Sequence, residues 1–264
     1  MRRLIAFPCM GETLGGSLDP GARGVGLLIV TGGTQVRVGA HRVQARLADF
    51  AAARGFPAFR FDRRGVGDSG GEDPSYLDSG PDVRAALEAF RREQPHVGRV
   101  VGVGICDGAT SLALHASALG LAGLVLANPW LVEAAADAPA PAAVRQHYRD
   151  RLLDADAWAR LLRGGVNLRR LLGSLRRAAA DTSGGPLADR VAAALGPYPG
   201  SLTLLLSTGD NTARAARACW TGPAFGTVAT RADVVDVPSD SHTFARPGDF
   251  DHLAGAVLAT LERV

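Results

Sequence analysis

Six short apolar runs, none longer than eight residues, recur along the 264-residue chain. They are GVGLLIVT (24–31), PAFRF (57–61), RVVGVG (99–104), AGLVLAN (122–128), SLTLLLS (201–207) and ADVVDVP (232–238). Near-continuous apolarity at strand length predicts strands buried on both faces, the signature of parallel sheets covered by helices. The stretches between them carry helical spacing: Val43, Leu47 and Phe50 share a face in 40–54, as do Phe250, Leu253, Val257 and Leu261 in 249–263. The alternation predicts an α/β fold with a mostly parallel central sheet flanked by helices. Ahead of it, RLIAFPCMGETLGGSL (3–18) reads as an antiparallel hairpin.

One segment breaks the alternation. Residues 131–198 separate two strands by far more than one crossover helix needs, which predicts an inserted helical cap over a core made of 1–130 and 199–264. Nine arginines fall between 145 and 177, with only Asp150, Asp154 and Asp156 among them. That density fits either a solvated helical face or a positively charged lid, in which Arg169 and Arg170 would meet an anionic substrate.

Bulk properties exclude several classes. With 47% hydrophobic and 21% charged residues the chain has the make-up of a globular protein, and no apolar run reaches the ~18 residues of a membrane span. The opening MRRLIAFPCMGE is interrupted by Pro8, Gly11 and Glu12 before a signal-type apolar region develops, so the expected location is the cytoplasm. Cys9, Cys106 and Cys219 form neither a disulfide framework nor a zinc pattern, and no metal is expected. All 29 basic residues are arginine, and a net charge of +3 is too small to argue for nucleic acid. The glycines of DRRGVGDS (62–69) lack a GK[ST] or full GxGxxG context, so no cofactor is expected. Asp62 and Arg64 are instead placed to lock a tight turn.

The chemistry concentrates at VVGVGICDGATSLAL (100–114), where Gly104-Ile105-Cys106-Asp107-Gly108 stands between a strand and a helix. A small-x-nucleophile-x-small pattern in that context predicts an elbow holding Cys106 in a strained turn, with glycines where a Cβ would collide with the neighbouring strand or helix. The helix N-terminus beneath would favour a thiolate and stabilise an oxyanion. A thiol needs a base, and His242 lies in PSDSHTF, the polar loop between the last strand and the final helix. The other histidines (His41, His96, His115, His147 and His252) lack that setting. An orienting carboxylate comes from Asp210 after SLTLLLS, with Asp240 and Asp236 as alternatives. The backbone N–H of Asp107, and that of Gly33 or Thr34 in the Thr31-Gly32-Gly33-Thr34-Gln35 loop, are the candidate oxyanion donors.

DRRGVGDSGG, the GICDG elbow, LLLSTGD and SDSH stand in the order of the α/β-hydrolase superfamily, which they resemble. GGTQVRVGAHR, RFDRRGVGDSGG, GICDGATSLAL, GLVLANPW and RQHYRDRLL…W…LLRGGVNLRRLL further resemble the exosortase A system-associated hydrolase family, type 1, over nearly the whole chain. That resemblance implies an α/β-hydrolase fold, an esterase-like activity with cysteine at the nucleophile position, and an association with bacterial exopolysaccharide and protein-sorting loci. GGTQ and GICDGA stand where that family has GGPQ and GLCDAA. The expected reaction is acyl transfer from an ester or thioester through an acyl-cysteine, with a small-molecule or carrier-bound acyl substrate. An acyltransferase using the same intermediate, and a non-catalytic binding or scaffold protein, are the competing classes.

Overall fold

The computed structural model describes residues 1–132 and 185–264. Eight strands form one sheet in the order β1-β2-β4-β3-β5-β6-β7-β8: Arg3–Cys9, Glu12–Asp19, Val25–Val30, Ala58–Phe61, Arg99–Ile105, Gly123–Ala127, Ser201–Ser207 and Asp233–Val237, numbered along the chain. β1 and β2 form the antiparallel hairpin, and β2 joins β4 antiparallel. From β4 through β3 and β5 to β8 every pairing is parallel. This is the α/β-hydrolase fold.

The helices, numbered among the described residues, are α1 (Val43–Ala52), α2 (Gly80–Glu93), α3 (Asp107–Leu119), α4 (Pro186–Leu195), α5 (Asn211–Trp220), α6 (Gly226–Ala229) and α7 (Asp249–Arg263). Because side chains alternate across a strand, each central strand feeds two cores. Val25, Leu27 and Ile29 of β3 pack with Val43 and Leu47 of α1 and Leu253, Val257 and Leu261 of α7. Leu28 and Val30 join the opposite core, with Val83 and Phe90 of α2, Leu112 of α3 and Val191 of α4. Phe50 and Phe250 meet edge to face between α1 and α7, with ring centres 6.1 Å apart.

One expectation changes here. ADVVDVP is not buried on both faces: β8 is the sheet's edge, and Asp233, Val234 and Asp236 are exposed along it. Its carboxylates pair with Arg263 and Arg217, which blunts an otherwise open strand edge. The segment 131–198 is described only at its ends. There α4 lies on α3 with Leu187, Val191 and Leu195 in the core, while 133–184, with Arg169 and Arg170, lies outside the described residues.

Candidate active site

The parallel strands aim their C-terminal ends at one edge of the sheet, and the chemistry-bearing loops gather there. Cys106 leaves β5 at φ 60° and ψ −129° and α3 begins at the next residue. A non-glycine residue at positive φ is costly by ~1–3 kcal/mol, so the surroundings must enforce it. They do so by contact. A Cβ on Gly104 would come within 2.6 Å of the Gly108 and Ala109 backbone, and one on Gly108 within 2.7 Å of the Val30 and Thr31 carbonyls. The Cys106 N–H donates to Ala127 O (3.0 Å), and its carbonyl accepts from Trp130 N–H (3.2 Å). The thiol is half-buried. Cys9 ends β1 and Cys219 lies within α5; both are buried, and burial pushes both thiols up, Cys9 to about 11 with Asp82 adding to the effect.

Asp210 ends the loop after β7 and caps α5, its Oδ2 accepting from Ala213 N–H (2.9 Å) and lying 2.9 Å from His242 Nδ1. Burial would raise this carboxyl, but hydrogen bonds from His242 and from the α5 N–H groups of Ala213 and Thr212 outweigh it and hold it below the usual range. At His242 burial acts downward, and hydrogen bonds to Asp210 and to the Cys106 thiol reverse it, so the imidazole is pushed up to about 10. The imidazole thus pairs with the Asp210 carboxylate through Nδ1 and has Cys106 as its other polar neighbour. Asp236 pairs with Arg217, and Asp240 with Arg246 (2.9 Å), both at exposed positions. Of the three aspartates considered, Asp210 is the one that reaches the imidazole.

The base loop rests on a buried residue that sequence reasoning passed over. Asn128, at the end of β6 with φ 44°, is fully buried. Its Nδ2 donates to His242 O (2.8 Å) and to Ser207 Oγ (3.1 Å), and its Oδ1 accepts from Ser207 N–H (2.8 Å). Ser207 Oγ in turn donates to Ser241 O (3.0 Å). Its only sequence signal was a polar residue closing an apolar strand where no carboxylate stands.

Opposite the elbow, the loop after β3 approaches so closely that a Cβ on Gly32 would sit 2.5 Å from Ile105 O and 2.6 Å from Asp107 Oδ1. Gly32 is therefore as constrained as the elbow glycines. Gly33 (φ 56°) is exposed beside it, and its N–H donates to Asp107 Oδ1 at 2.5 Å. Thr34 lies exposed in the same loop. The Asp107 N–H stands at the N-terminus of α3, next to Cys106. Behind this loop, Asp62 is fully buried and accepts from the backbone N–H groups of Arg37 (2.5 Å) and Asp68 (3.3 Å), locking the 62–69 turn. Arg64 differs from expectation, because its guanidinium pairs with Asp82 and so ties the turn to α2 (2.9 Å).

The remaining described histidines lie elsewhere. His41 is exposed just ahead of α1, His115 sits in α3 against Gly80, where burial lowers its pKa, His96 hydrogen-bonds Gly21 O (3.0 Å), and His252 is exposed on α7. Among the described residues no group of three or more His, Cys, Asp or Glu side chains could hold a metal ion, and no helix is long and apolar enough to cross a membrane.

Residues 27–253 match the sequence model of a family described as the alpha/beta hydrolase family. No curated protein matches the chain. Among solved structures, an esterase from Pyrococcus furiosus superposes with a TM-score of 0.66 at 16% identity, covering 100% of this chain and 92% of its own. The alpha/beta hydrolase GrgF from a Penicillium species gives 0.65 at 18% identity, with 100% and 98% coverage. A serine hydrolase from Xanthomonas campestris described as lacking a lid gives 0.62 at 16%, with 99% and 94% coverage. At such identities these similarities speak for the fold.

Proposed function

The chain belongs to the alpha/beta hydrolase family, and from that premise we propose that it hydrolyses an ester or thioester through an acyl-cysteine on Cys106, with His242 as base and Asp210 orienting it. The observation that carries this reading is the 2.9 Å pairing of Asp210 with His242 Nδ1, on an imidazole that feels the charge of the Cys106 side chain, itself held at positive φ. In the first step the thiolate attacks the carbonyl carbon, and the charged imidazole gives its proton to the departing alcohol or thiol. The acyl group is then a thioester on Cys106. Water loses a proton to the neutral imidazole as it attacks, and the carboxylic acid leaves with the thiolate restored. Backbone N–H groups of Asp107 and of Gly33 or Thr34 hold the oxyanion in both steps, and one such donor is worth ~3 kcal/mol.

Cysteine is a better leaving group than serine, which favours thioesters and activated esters as substrates. The motifs that resemble the exosortase-associated hydrolases support a cytoplasmic role near exopolysaccharide synthesis. The arginines of 145–177 support an anionic carrier for the acyl group. Incubation with p-nitrophenyl esters and an acyl thioester, followed by intact-protein mass, should show an acyl adduct that disappears in Cys106→Ala. Turnover that persists in Cys106→Ala, or the absence of both adduct and turnover in the unaltered chain, would overturn the proposal.

A further inference from the structure

One of the two candidate oxyanion donors of the loop after β3 is already occupied. Gly33 N–H, on an exposed residue next to Gly32, gives its hydrogen bond to the side chain of Asp107, the residue directly after Cys106. A carboxylate oxygen at 2.5 Å stands where a reacting carbonyl oxygen would seek the same donor. Either the peptide or the carboxylate has to move before an acyl group can be activated there.

The peptide is the fixed partner. Its carbonyl accepts from Arg63 Nη2 at 2.5 Å, and Arg63 is only 2% exposed. The Nε and Nη1 of that guanidinium have no hydrogen-bond partner, and the nearest carboxylate, Asp73, stands 3.6 Å away. Turning the Gly33 peptide would strip a buried cation of its close acceptor, a costly change. On the other side, Ile105 O and Asp107 Oδ1 lie 2.5 and 2.6 Å from where a Cβ on Gly32 would stand. The Asp107 side chain, by contrast, is half-buried and turns about two bonds.

We infer that Asp107 selects the acyl group, favouring donors that carry a positively charged or hydrogen-bond-donating substituent on the carbon next to the scissile carbonyl, an α-amino or α-hydroxy acyl group. This rests on Cys106 being the nucleophile. When substrate takes the Gly33 N–H, the displaced carboxylate stays tethered one residue from Cys106. A plain acyl chain leaves it unpaired beside a growing oxyanion, where like charges a few ångströms apart repel. A substituent one bond from the carbonyl carbon is within reach of that carboxylate and pairs with it. The same charge that obstructs a simple acyl group then anchors a substituted one.

The test compares p-nitrophenyl esters of glycine, glycolic acid and acetic acid on the unaltered chain, Asp107→Asn and Asp107→Ala, read as nitrophenol release and acyl mass on Cys106. The glycyl-to-acetyl ratio of kcat/KM cancels the esters' intrinsic reactivities when proteins are compared. Removing the charge should lower that ratio about tenfold while the acetyl rate rises, with the glycolyl ester changing less. A ratio unchanged in both variants would overturn the inference, as would a parallel fall for every ester in variants that keep the parent's melting temperature. Cys106 left unacylated by every ester in all three proteins would instead overturn the nucleophile reading, and this inference with it.

Discussion

The two sides of the candidate site are held by different physics. The nucleophile side is built from contact: Gly104, Gly108 and Gly32 each lie within 2.5–2.7 Å of foreign backbone or side-chain atoms at the position of an added Cβ. The base side is built from polar pairing, in which Asn128 and Ser207 hold the backbone of Ser241 and His242, and Asp210 holds the ring. The first arrangement fails when volume is added and the second when a donor or acceptor is lost. A close-packed turn can hold Cys106 at positive φ without any side-chain hydrogen bond, whereas a loop carrying a charged imidazole needs oriented partners.

Mutations can separate the two modes. The largest effect is expected on rate, from Asp210→Asn, which removes the carboxylate at His242 Nδ1 while keeping its shape. Hydrolysis of a p-nitrophenyl ester should fall by ~10³–10⁴-fold, as when other orienting carboxylates are neutralised. Asp240→Asn breaks only an exposed pair with Arg246 and should leave the rate unchanged. Equal losses in the two variants would show that Asp210 does not act through the imidazole.

Next comes the nucleophile side. Gly108→Ala pushes a methyl group against the Val30 and Thr31 carbonyls, which are backbone of the central sheet and cannot swing aside. Destabilisation of ~3 kcal/mol is expected by denaturant unfolding, at the upper end for overpacking, with loss of acylation at Cys106. A Gly108→Ala protein as stable as its parent would remove the steric account of the elbow.

The smallest of the three is expected from Asn128→Ala, which leaves Ser207 N–H and the His242 carbonyl without their buried partner. Each abandoned group costs ~1–3 kcal/mol, offset in part where the loop relaxes toward water, so a loss of ~2 kcal/mol is anticipated. Because the loop carries the imidazole, kcat should fall more than KM rises, and Asn128→Asp should recover little because it lacks the Nδ2 donor. An unaltered kcat would make Asn128 a brace for the strands alone.

Much of the sheet was legible because its signals are local. The hairpin at 3–18 and the apolar runs lie where β1 to β7 form, since strand length and apolar density are properties of neighbouring residues. The run at 232–238 does form β8 but misled on burial, because two valines and an aspartate on each side of them read alike in a buried strand and an edge strand. Only its place at the end of the sheet order, beside Arg217 and Arg263, distinguishes the two. At the end of the long 131–198 segment, α4 lies on the core because Leu187, Val191 and Leu195 share a helical face toward α3, while 133–184 lies outside the described residues.

What the sequence by itself determined is the α/β architecture, the elbow around Cys106 and the small set of groups eligible to serve it, because period, strand length and the absence of a Cβ act within a few residues. Tertiary structure decided which groups meet. His242 finds Asp210 across 32 residues, Gly33 N–H is taken by Asp107 across 74, and Asn128 reaches the His242 carbonyl across 114. No pattern along the chain encodes those meetings, because hydrogen bonds are chosen by distances of about 3 Å that exist only once the parallel strands bring their ends together.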